Sequence, residues 1–260
     1  MTRHTAFRST AVLTALLCLA FASPALAFKM TEESTFSYPL TADGRVSLEN
    51  INGDVRIEAW DRDEVSIEAV KRARSQEALD EATIEIDARA DRIHIETQYN
   101  QDRRGWTSKR DSASIDYTLY VPRGAELDEI ELVNGSLELE GIEGDVNASL
   151  VNGRANARGL TGNTEISTVN GQLEVELAEL DRSHSVELSS VNGSVRLDVP
   201  GRADADIEAS TVHGGISNDF GLVVDKGEYV GEELSGSIGN GGARVNLSNV
   251  NGSISIRESR

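Results

Sequence analysis

The sequence predicts an all-β protein, a single-stranded β-solenoid or β-helix built of half-coils of about nine residues. Three observations in residues 132–175 predict this fold. Glycine recurs every nine residues, at positions 135, 144, 153, 162 and 171. Apolar and polar residues alternate between the glycines, as in Leu137-Glu138-Leu139, which is typical of a strand with one buried face. Every second glycine follows an asparagine, and Asn-Gly favours a tight corner between two strands.

The full repeat is eighteen residues, because the glycines alternate between two sequence contexts. One context is Val-Asn-Gly, which returns with looser spacing towards the C terminus. One strand cannot bury its apolar face alone, so we expect the repeats to stack. The asparagines of the regular block should form a hydrogen-bonded ladder, and the glycines should supply positive φ angles. The predicted structural corners are Asn134, Gly135, Asn152, Gly153, Asn170, Gly171, Asn192, Gly193, Asn251 and Gly252.

Residues 1–27 are typical of a signal peptide rather than of the fold. Two arginines precede an apolar run over residues 11–22, and Ala25-Leu26-Ala27 fits a cleavage site. A membrane anchor is one alternative, but the run is too short to span a bilayer. Lipidation of Cys18 is another, and the leucine before it disfavours processing, which requires a small residue there. The sequence therefore predicts export, to the periplasm, the medium or the cell surface, with no membrane span.

Residues 28–124 predict an irregular N-terminal β module with one short helix. Ser75 is placed to cap that helix, which should run to residue 82 because good helix formers follow the cap. Strands are expected at residues 46–49, 54–59, 65–70, 83–88, 93–99 and 114–121. The module would supply the first, modified coils and cap the solenoid end. Residues 125–260 form the predicted repeat domain, with residues 242–256 as its closing coil.

Three motifs connect the chain to a known family. They are I-N-G-D-V-R-I-E-A-W-D at residues 51–61, Y-V-P-R-G-A-E-L at residues 120–127 and S-N-V-N-G-S-I-S-I at residues 248–256. Together they resemble the bacterial "putative adhesin" family of exported β-solenoid domains, whose function is unknown. The resemblance covers residues 41–256. It implies the solenoid fold, and it brings no catalytic residues to this chain.

The chain is strongly acidic. It has 44 Asp and Glu residues against 25 Lys and Arg residues, a formal net charge of −19. Removal of residues 1–27, which contain two arginines and no acidic residue, changes the charge from −19 to −21. Such a charge disfavours nucleic acid and anionic membrane surfaces as partners.

A calcium-dependent β-roll is one alternative reading of the glycine period. Ca²⁺ takes six to eight oxygen ligands, whereas Asp145 is the one aspartate at a corner of the regular block. The histidines His94, His184 and His213 do not have the spacing of a metal site. We therefore expect no metal and no cofactor.

A carbohydrate-active β-helix enzyme is the second alternative. Glu138 and Glu140 should point outwards from one strand, as a pair of catalytic carboxylates would. Sugar sites usually add aromatic platforms in a groove, and after residue 122 the aromatic residues are Phe220 and Tyr229. No catalytic motif such as G-x-S-x-G or H-E-x-x-H occurs. The sequence predicts a protein that is not an enzyme.

The remaining candidate site is a basic segment in this acidic chain. Its residues are Arg103, Arg104, Trp106, Lys109 and Arg110. Because Trp and Arg are enriched at interfaces, we interpret the segment as a contact with a cell-envelope protein or polymer. The alternative is a polar hairpin tip without a partner. The chain as a whole is predicted to be an adhesin-like binding or scaffold protein of the cell envelope, with no prediction for its ligand or oligomeric state.

Overall fold

The computed structural model describes residues 30–99, 112–227 and 230–259. These residues form two β-sheets, of ten and eleven strands, which enclose one apolar core, and a single short helix. The predicted all-β class is confirmed. The strands are β1 (Met30–Pro39), β2 (Arg45–Asn52), β3 (Val55–Trp60), β4 (Glu64–Ala73), β5 (Ala82–Ala88), β6 (Arg92–Tyr99), β7 (Ser114–Pro122), β8 (Glu126–Asn134), β9 (Leu137–Glu140), β10 (Val146–Asn152), β11 (Ala155–Leu160), β12 (Thr164–Asn170), β13 (Leu173–Leu177), β14 (Ser185–Asn192), β15 (Val195–Pro200), β16 (Ala205–His213), β17 (Ile216–Asn218), β18 (Val224–Lys226), β19 (Glu232–Ile238), β20 (Ala243–Asn251) and β21 (Ile254–Ser259); the helix is α1 (Gln76–Glu81).

The chain winds between the two sheets. We call the ten-stranded sheet, which includes β11, sheet A, and the eleven-stranded sheet, which includes β10 and β12, sheet B. β10 in sheet B leads to β11 in sheet A, and β12 returns to sheet B. Val146 lies beside Thr164 in a parallel pair, so the next coil is displaced by 18 residues. Between β12 and β14 the displacement is 22 residues, since Thr164 lies beside Val186. The result is a β-solenoid-like rod.

Alternate residues of each strand point into the core. In β9, Leu137 and Leu139 are buried, whereas Glu138 and Glu140 are exposed, as predicted. The parallel register stacks each apolar side chain on its equivalents in neighbouring coils. Full burial of one leucine contributes about 1.5–3 kcal/mol, so packing of these stacked rows is the main source of stability in the rod.

The N-terminal module supplies coils of the same rod. β2 and β3 pair in parallel with β8 and β9, and β6 and β7 form the next coil outwards. Beyond this coil the pairing becomes antiparallel: β4 pairs with β7 and β1, and β5 pairs with β6. Both sheets run without interruption past residue 124, where the sequence predicts a domain boundary. The division into two domains stays a prediction.

The short helix begins after its predicted cap. The backbone N–H of Ala78 donates to Ser75 Oγ at 3.2 Å, and α1 ends at Glu81. A helix of this length is not stable in isolation, so the buried side chains of Ala78 and Leu79 hold it on the rod. The described residues contain no helix with the length and apolar character required to cross a membrane.

The coil formed by β20 and β21 lies inside the rod rather than at its end. β20 pairs on one side with β14 and on the other with β16, and β21 lies between β15 and β17. The prediction that residues 242–256 close the repeat domain is therefore wrong. Every coil carries a similar corner signature, so the sequence period does not specify which coils are neighbours.

Antiparallel strands and two carboxylates hold the C-terminal end together. β19 pairs with β16 and β18. Glu232 accepts a hydrogen bond from the backbone N–H of Ile216 at 2.7 Å, and this bond lowers the pKa of the Glu232 carboxyl. Asp204 pairs with Arg182 at 2.6 Å. The hydrogen bond from Arg182, followed by one from the backbone of Asn240, lowers the pKa of Asp204.

Candidate interaction surface

One long edge of the rod consists of the Val-Asn-Gly corners, where the chain crosses from sheet B to sheet A. The corner asparagine side chains form a continuous ladder, in which each Nδ2 donates to the Oδ1 of its neighbour at 2.9–3.1 Å. In the order of the coils, the ladder contains Asn52, Asn134, Asn152, Asn170, Asn192 and Asn251. His213 lies beside Asn251 in the next coil.

Close stacking of the backbone requires glycine at these corners. The N–H of Gly153 donates to the carbonyl oxygen of Asn170 at 3.0 Å. A Cβ on Gly153 would lie 1.8 Å from the carbonyl oxygen of Gly135. The φ of Gly153 is 159°, so the predicted positive φ is confirmed there, and it disfavours other residues in addition to the steric overlap. The same approach, at 1.7–1.9 Å, recurs at Gly135, Gly171, Gly193 and Gly252.

Beside the ladder, the outer face of sheet B carries a row of half-exposed β-branched side chains. Each precedes a corner asparagine, or His213 in the last coil, and is 39–47 % exposed. We call these residues the valine row; in the order of the coils they are Ile51, Val133, Val151, Val169, Val191, Val250 and Val212. Neighbouring strands lie about 4.8 Å apart, so the row is roughly 29 Å long. Among the described residues, the other exposed large apolar side chains are those of Met30, Val223 and Val230.

Two further rows run parallel to the valine row on the same face. The serine row consists of Ser149, Ser167, Ser189, Ser248 and Ser210. An acidic row lies one step further from the corner and includes Glu165, Glu187 and Glu208. Side chains two residues apart on one strand are separated by about 6.6 Å, which places the acidic row roughly 13 Å from the valine row. From β10 to β16 the face is therefore uncharged near the corner and acidic beyond it. In the two coils before β10, Glu131 and Glu49 take the positions of the serine row.

The outer face of sheet A is charged and cross-linked by ion pairs. Arg56 contacts Glu138 at 2.7 Å and Glu140 at 3.2 Å, so the two carboxylates considered for catalysis are neutralised on an open face. Trp60 and Tyr120 form a stacked pair that was not predicted, with ring centroids 5.5 Å apart. These half-buried rings do not line the groove of about 390 Å³ on sheet B. That groove is lined by acidic, serine, alanine, leucine and asparagine side chains, including Glu187, Glu208, Asp225 and Glu233.

The basic residues Arg103, Arg104, Trp106, Lys109 and Arg110 lie outside the described residues, as does the predicted signal peptide of residues 1–27. The structure does describe the strands that flank the basic segment. The Tyr99 hydroxyl donates to the carbonyl oxygen of Ala113 at 3.0 Å. Burial raises the pKa of Tyr99, and a hydrogen bond with the Asn52 side chain opposes that shift. Asn52 is the first residue of the ladder, so the basic segment is attached at the end of the corner edge.

The three histidines and the two C-terminal aromatic residues do not come together in one site. His94 Nδ1 lies 2.8 Å from Ser47 Oγ in the N-terminal coils, His184 lies before β14, and His213 lies at the end of the ladder. Phe220 packs against the core, and Tyr229 lies outside the described residues. In the part of the chain that the structure describes, no three His, Cys, Asp or Glu side chains are grouped to hold a metal ion.

Known structures and families share this architecture. Residues 130–257 match the family model described as Toastrack DUF4097. The chain is similar to the crystal structure of a "putative cell adhesion protein" from Clostridium sporogenes ATCC 15579, with 13 % identity and a TM-score of 0.54 over 88 % of this chain and 100 % of that chain. It is also similar to a "putative adhesin" from Bacteroides fragilis NCTC 9343, with 12 % identity and a TM-score of 0.40 over 86 % of this chain and 97 % of that chain.

The family model identifies the domain family, and the C. sporogenes structure supports the fold. At 13 % identity, the C. sporogenes structure supports the fold alone. No curated protein matches the chain. The family match starts at residue 130 rather than at residue 41, where the sequence motifs suggest that it begins. It confirms the family resemblance recognised in the sequence: residues 130–257 form a Toastrack DUF4097 domain.

Proposed function

We propose that this chain is an adhesin-like binding or scaffold protein of the cell envelope, exported through residues 1–27, and that it is not an enzyme. The valine row is the observation that carries the proposal. Contiguous exposed apolar surface on a soluble domain marks an interaction site more often than isolated apolar residues do. Here a straight apolar row lies beside a strip that is uncharged from β10 to β16, on a chain whose net charge is −19.

The valine row is pre-organised for binding. The ladder and the stacked glycines fix the corner backbone, and β-branched side chains have few rotamers to lose. Full burial of a valine contributes about 1.5–3 kcal/mol, so covering the exposed two-fifths of seven such residues contributes roughly 4–9 kcal/mol. Association costs about 4–15 kcal/mol. The apolar row therefore gives weak binding alone, and the serine hydroxyls and ladder amides must add polar contacts.

The geometry suits an elongated partner, such as an envelope polymer or an extended protein segment. A repeating surface of this kind can engage successive units of such a partner, and the weak contacts then add as avidity. Glu138 and Glu140 lie on the outer face of sheet A, opposite the valine row, where both pair with Arg56. Because these carboxylates are neutralised, a binding function is favoured over a catalytic one.

Co-sedimentation of the mature protein with envelopes of the source bacterium tests the valine row. In a triple variant, Val151→Thr, Val169→Thr and Val191→Thr, the side chains keep their shape and β-branching but lose apolar surface. We expect at least a tenfold loss of envelope binding, with the thermal midpoint unchanged within a few degrees because the side chains are half-exposed. The matched variant with isoleucine at the same positions should bind as the parent does. A threonine variant that binds like the parent would exclude the valine row as the contact.

A second variant tests the basic segment independently. Replacing residues 101–111 by Asn-Gly should preserve the fold, because the contact between Tyr99 and Ala113 remains. If the segment holds an acidic partner, envelope binding should fall and lose its dependence on salt, since salt screens exposed charges. Trp106→Ala combined with Arg104→Glu should weaken binding in part, whereas Arg104→Lys should not. Unchanged co-sedimentation of the loop-replaced protein would show that the segment is a tether only.

A further inference from the structure

The two ends of the rod differ in how they finish their sheets. At the N-terminal end the outermost described strands are β1, of ten residues, and β5, of seven residues. Each pairs with one neighbour among the described strands, β4 and β6 respectively. At the other end the sheets finish with β17 and β18, of three residues each. Short edge strands limit pairing with other chains, and long ones invite it.

The core is only partly covered at the N-terminal end. The inward-facing residues Phe36 of β1 and Ile84 and Ile86 of β5 pack against the core but are only partly buried. At the C-terminal end, Phe220, Leu222 and Val224 are partly buried as well, so the two ends differ in the length of their edge strands rather than in the coverage of the core. Among the described residues, the N-terminal end therefore combines strand edges that have no partner with accessible apolar side chains.

We propose that this end binds a second copy of the chain, so that two rods join end to end. The two copies are related by a two-fold axis perpendicular to the sheets. This rotation keeps sheet A beside sheet A and sheet B beside sheet B, and it reverses the direction of the strands in the second copy. β1 then pairs antiparallel with β1 of the second copy, and β5 pairs antiparallel with its own equivalent. The half-buried aromatic and aliphatic side chains of the two ends meet between the sheets and complete one continuous core.

The size of the end face fits such a partner. Ten residues of extended chain span about 33 Å, and two packed sheets with their side chains are about 20 Å thick. The end face is then on the order of 650 Å² per copy, or roughly 1,300 Å² in total, within the range of stable interfaces. Head-to-tail stacking would place the ten-residue β1 against the three-residue β17 and leave most of its edge unpaired. The assembly therefore closes as a dimer and does not extend into a filament.

Charge sets the conditions under which the dimer forms. Each mature copy carries a formal charge of −21, which is the −19 of the chain less its two N-terminal arginines. Glu85 is the central residue of β5 and is exposed, so pairing β5 about its centre places it near the partner's Glu85. Like charges on paired strands oppose association, and salt screens them. The dimer should therefore strengthen as salt increases, the opposite of an interface held by ion pairs.

Light scattering coupled to size exclusion tests the proposal on the mature protein in 50 mM and 500 mM NaCl. The dimer fraction should rise with salt, and the longest dimension by small-angle scattering should approximately double in the dimer. Ile86→Lys should weaken dimerisation at least tenfold. Val223→Lys, at a 75 % exposed position near the C-terminal end, is the matched control and should leave it unchanged.

Glu85→Gln tests the interface without placing a charge in the core. It should strengthen the dimer several-fold at low salt and have little effect at high salt, and circular dichroism should show an unchanged fold. A protein that stays monomeric in both salts, or a dimer of unchanged length, would overturn the proposal. An equal loss in Val223→Lys and Ile86→Lys would overturn it as well. If Ile86→Lys does not fold, the sign of the Glu85→Gln effect decides.

Discussion

Replacement of Gly153 by valine should lower the free energy of unfolding by more than about 4 kcal/mol. Losses of this size are rare for single substitutions, and steric overlap in a closely packed region is one of their causes. The added Cβ would lie 1.8 Å from the carbonyl oxygen of Gly135. To relieve this overlap, the coils of Gly135 and Gly153 must separate, which breaks the bond from the Gly135 N–H to the carbonyl oxygen of Asn152 and the ladder bond between Asn152 and Asn134. Urea denaturation should show a large fall in the midpoint, or the variant should be recovered only unfolded.

Two further glycine variants separate the effect of the Cβ contact from that of β-branching. Gly153→Ala carries the same Cβ, so stacking predicts an effect nearly as severe as that of valine. Gly215→Ala is the matched control, because its Cβ would meet only Glu232 Oε2 at 3.7 Å, an ordinary contact. Its stability should stay within about 0.5 kcal/mol of the parent. If Gly153→Ala caused only a small loss of stability and Gly153→Val a large one, β-branching rather than the Cβ contact would be the cause of the destabilisation.

Leu139→Ala should cost about 2–5 kcal/mol in the free energy of unfolding. The side chain is 2 % exposed and stacks between Ile57 and Ala157 of the neighbouring coils. The backbone ladders on both sides prevent the coils from collapsing into the space left behind, so the cavity term adds to the lost transfer energy. The midpoint of urea unfolding measures the effect.

Glu138→Gln is the control on the same strand. The Glu138 side chain is 54 % exposed and pairs with Arg56 at 2.7 Å. Exposed ion pairs contribute about 0–1 kcal/mol, so the midpoint should move little. Similar midpoints for Leu139→Ala and Glu138→Gln would contradict the inward and outward assignment of the two residues.

The features that depend on neighbouring residues could be predicted from the sequence. Period-two alternation placed Leu139 inside and Glu138 outside. Ser75 marked the start of the helix, because the cap is a contact over three residues. The family followed from three local motifs, and the structure extends the predicted asparagine ladder by hydrogen bonds from Asn52 to Asn251.

The features that depend on contacts between coils could not be read in the same way. The corner glycines were expected at positive φ, as Gly153 is, but the close stacking against a carbonyl of the neighbouring coil, which also excludes other residues at Gly153, was not predicted. The valine row did carry a sequence signal that was overlooked. Counting back from Val151 in steps of two residues gives Ser149 and Asn147, so Val151 lies on the same outer face as these polar residues. The Val-Asn-Gly motif therefore encodes both a corner and an exposed apolar residue.

The inserted last coil determines the order in which the chain can be assembled. β16 and β17 leave the translocation machinery or ribosome before β20 and β21, yet their parallel partners are β20 and β21. Chains fold from the N terminus as they emerge, so coil-by-coil growth can proceed only as far as β14 and β15. The last strands must then enter between two layers already made, and they join the ladder at Asn192. Truncation at the C terminus would thus remove a middle coil and leave β16 without a parallel neighbour.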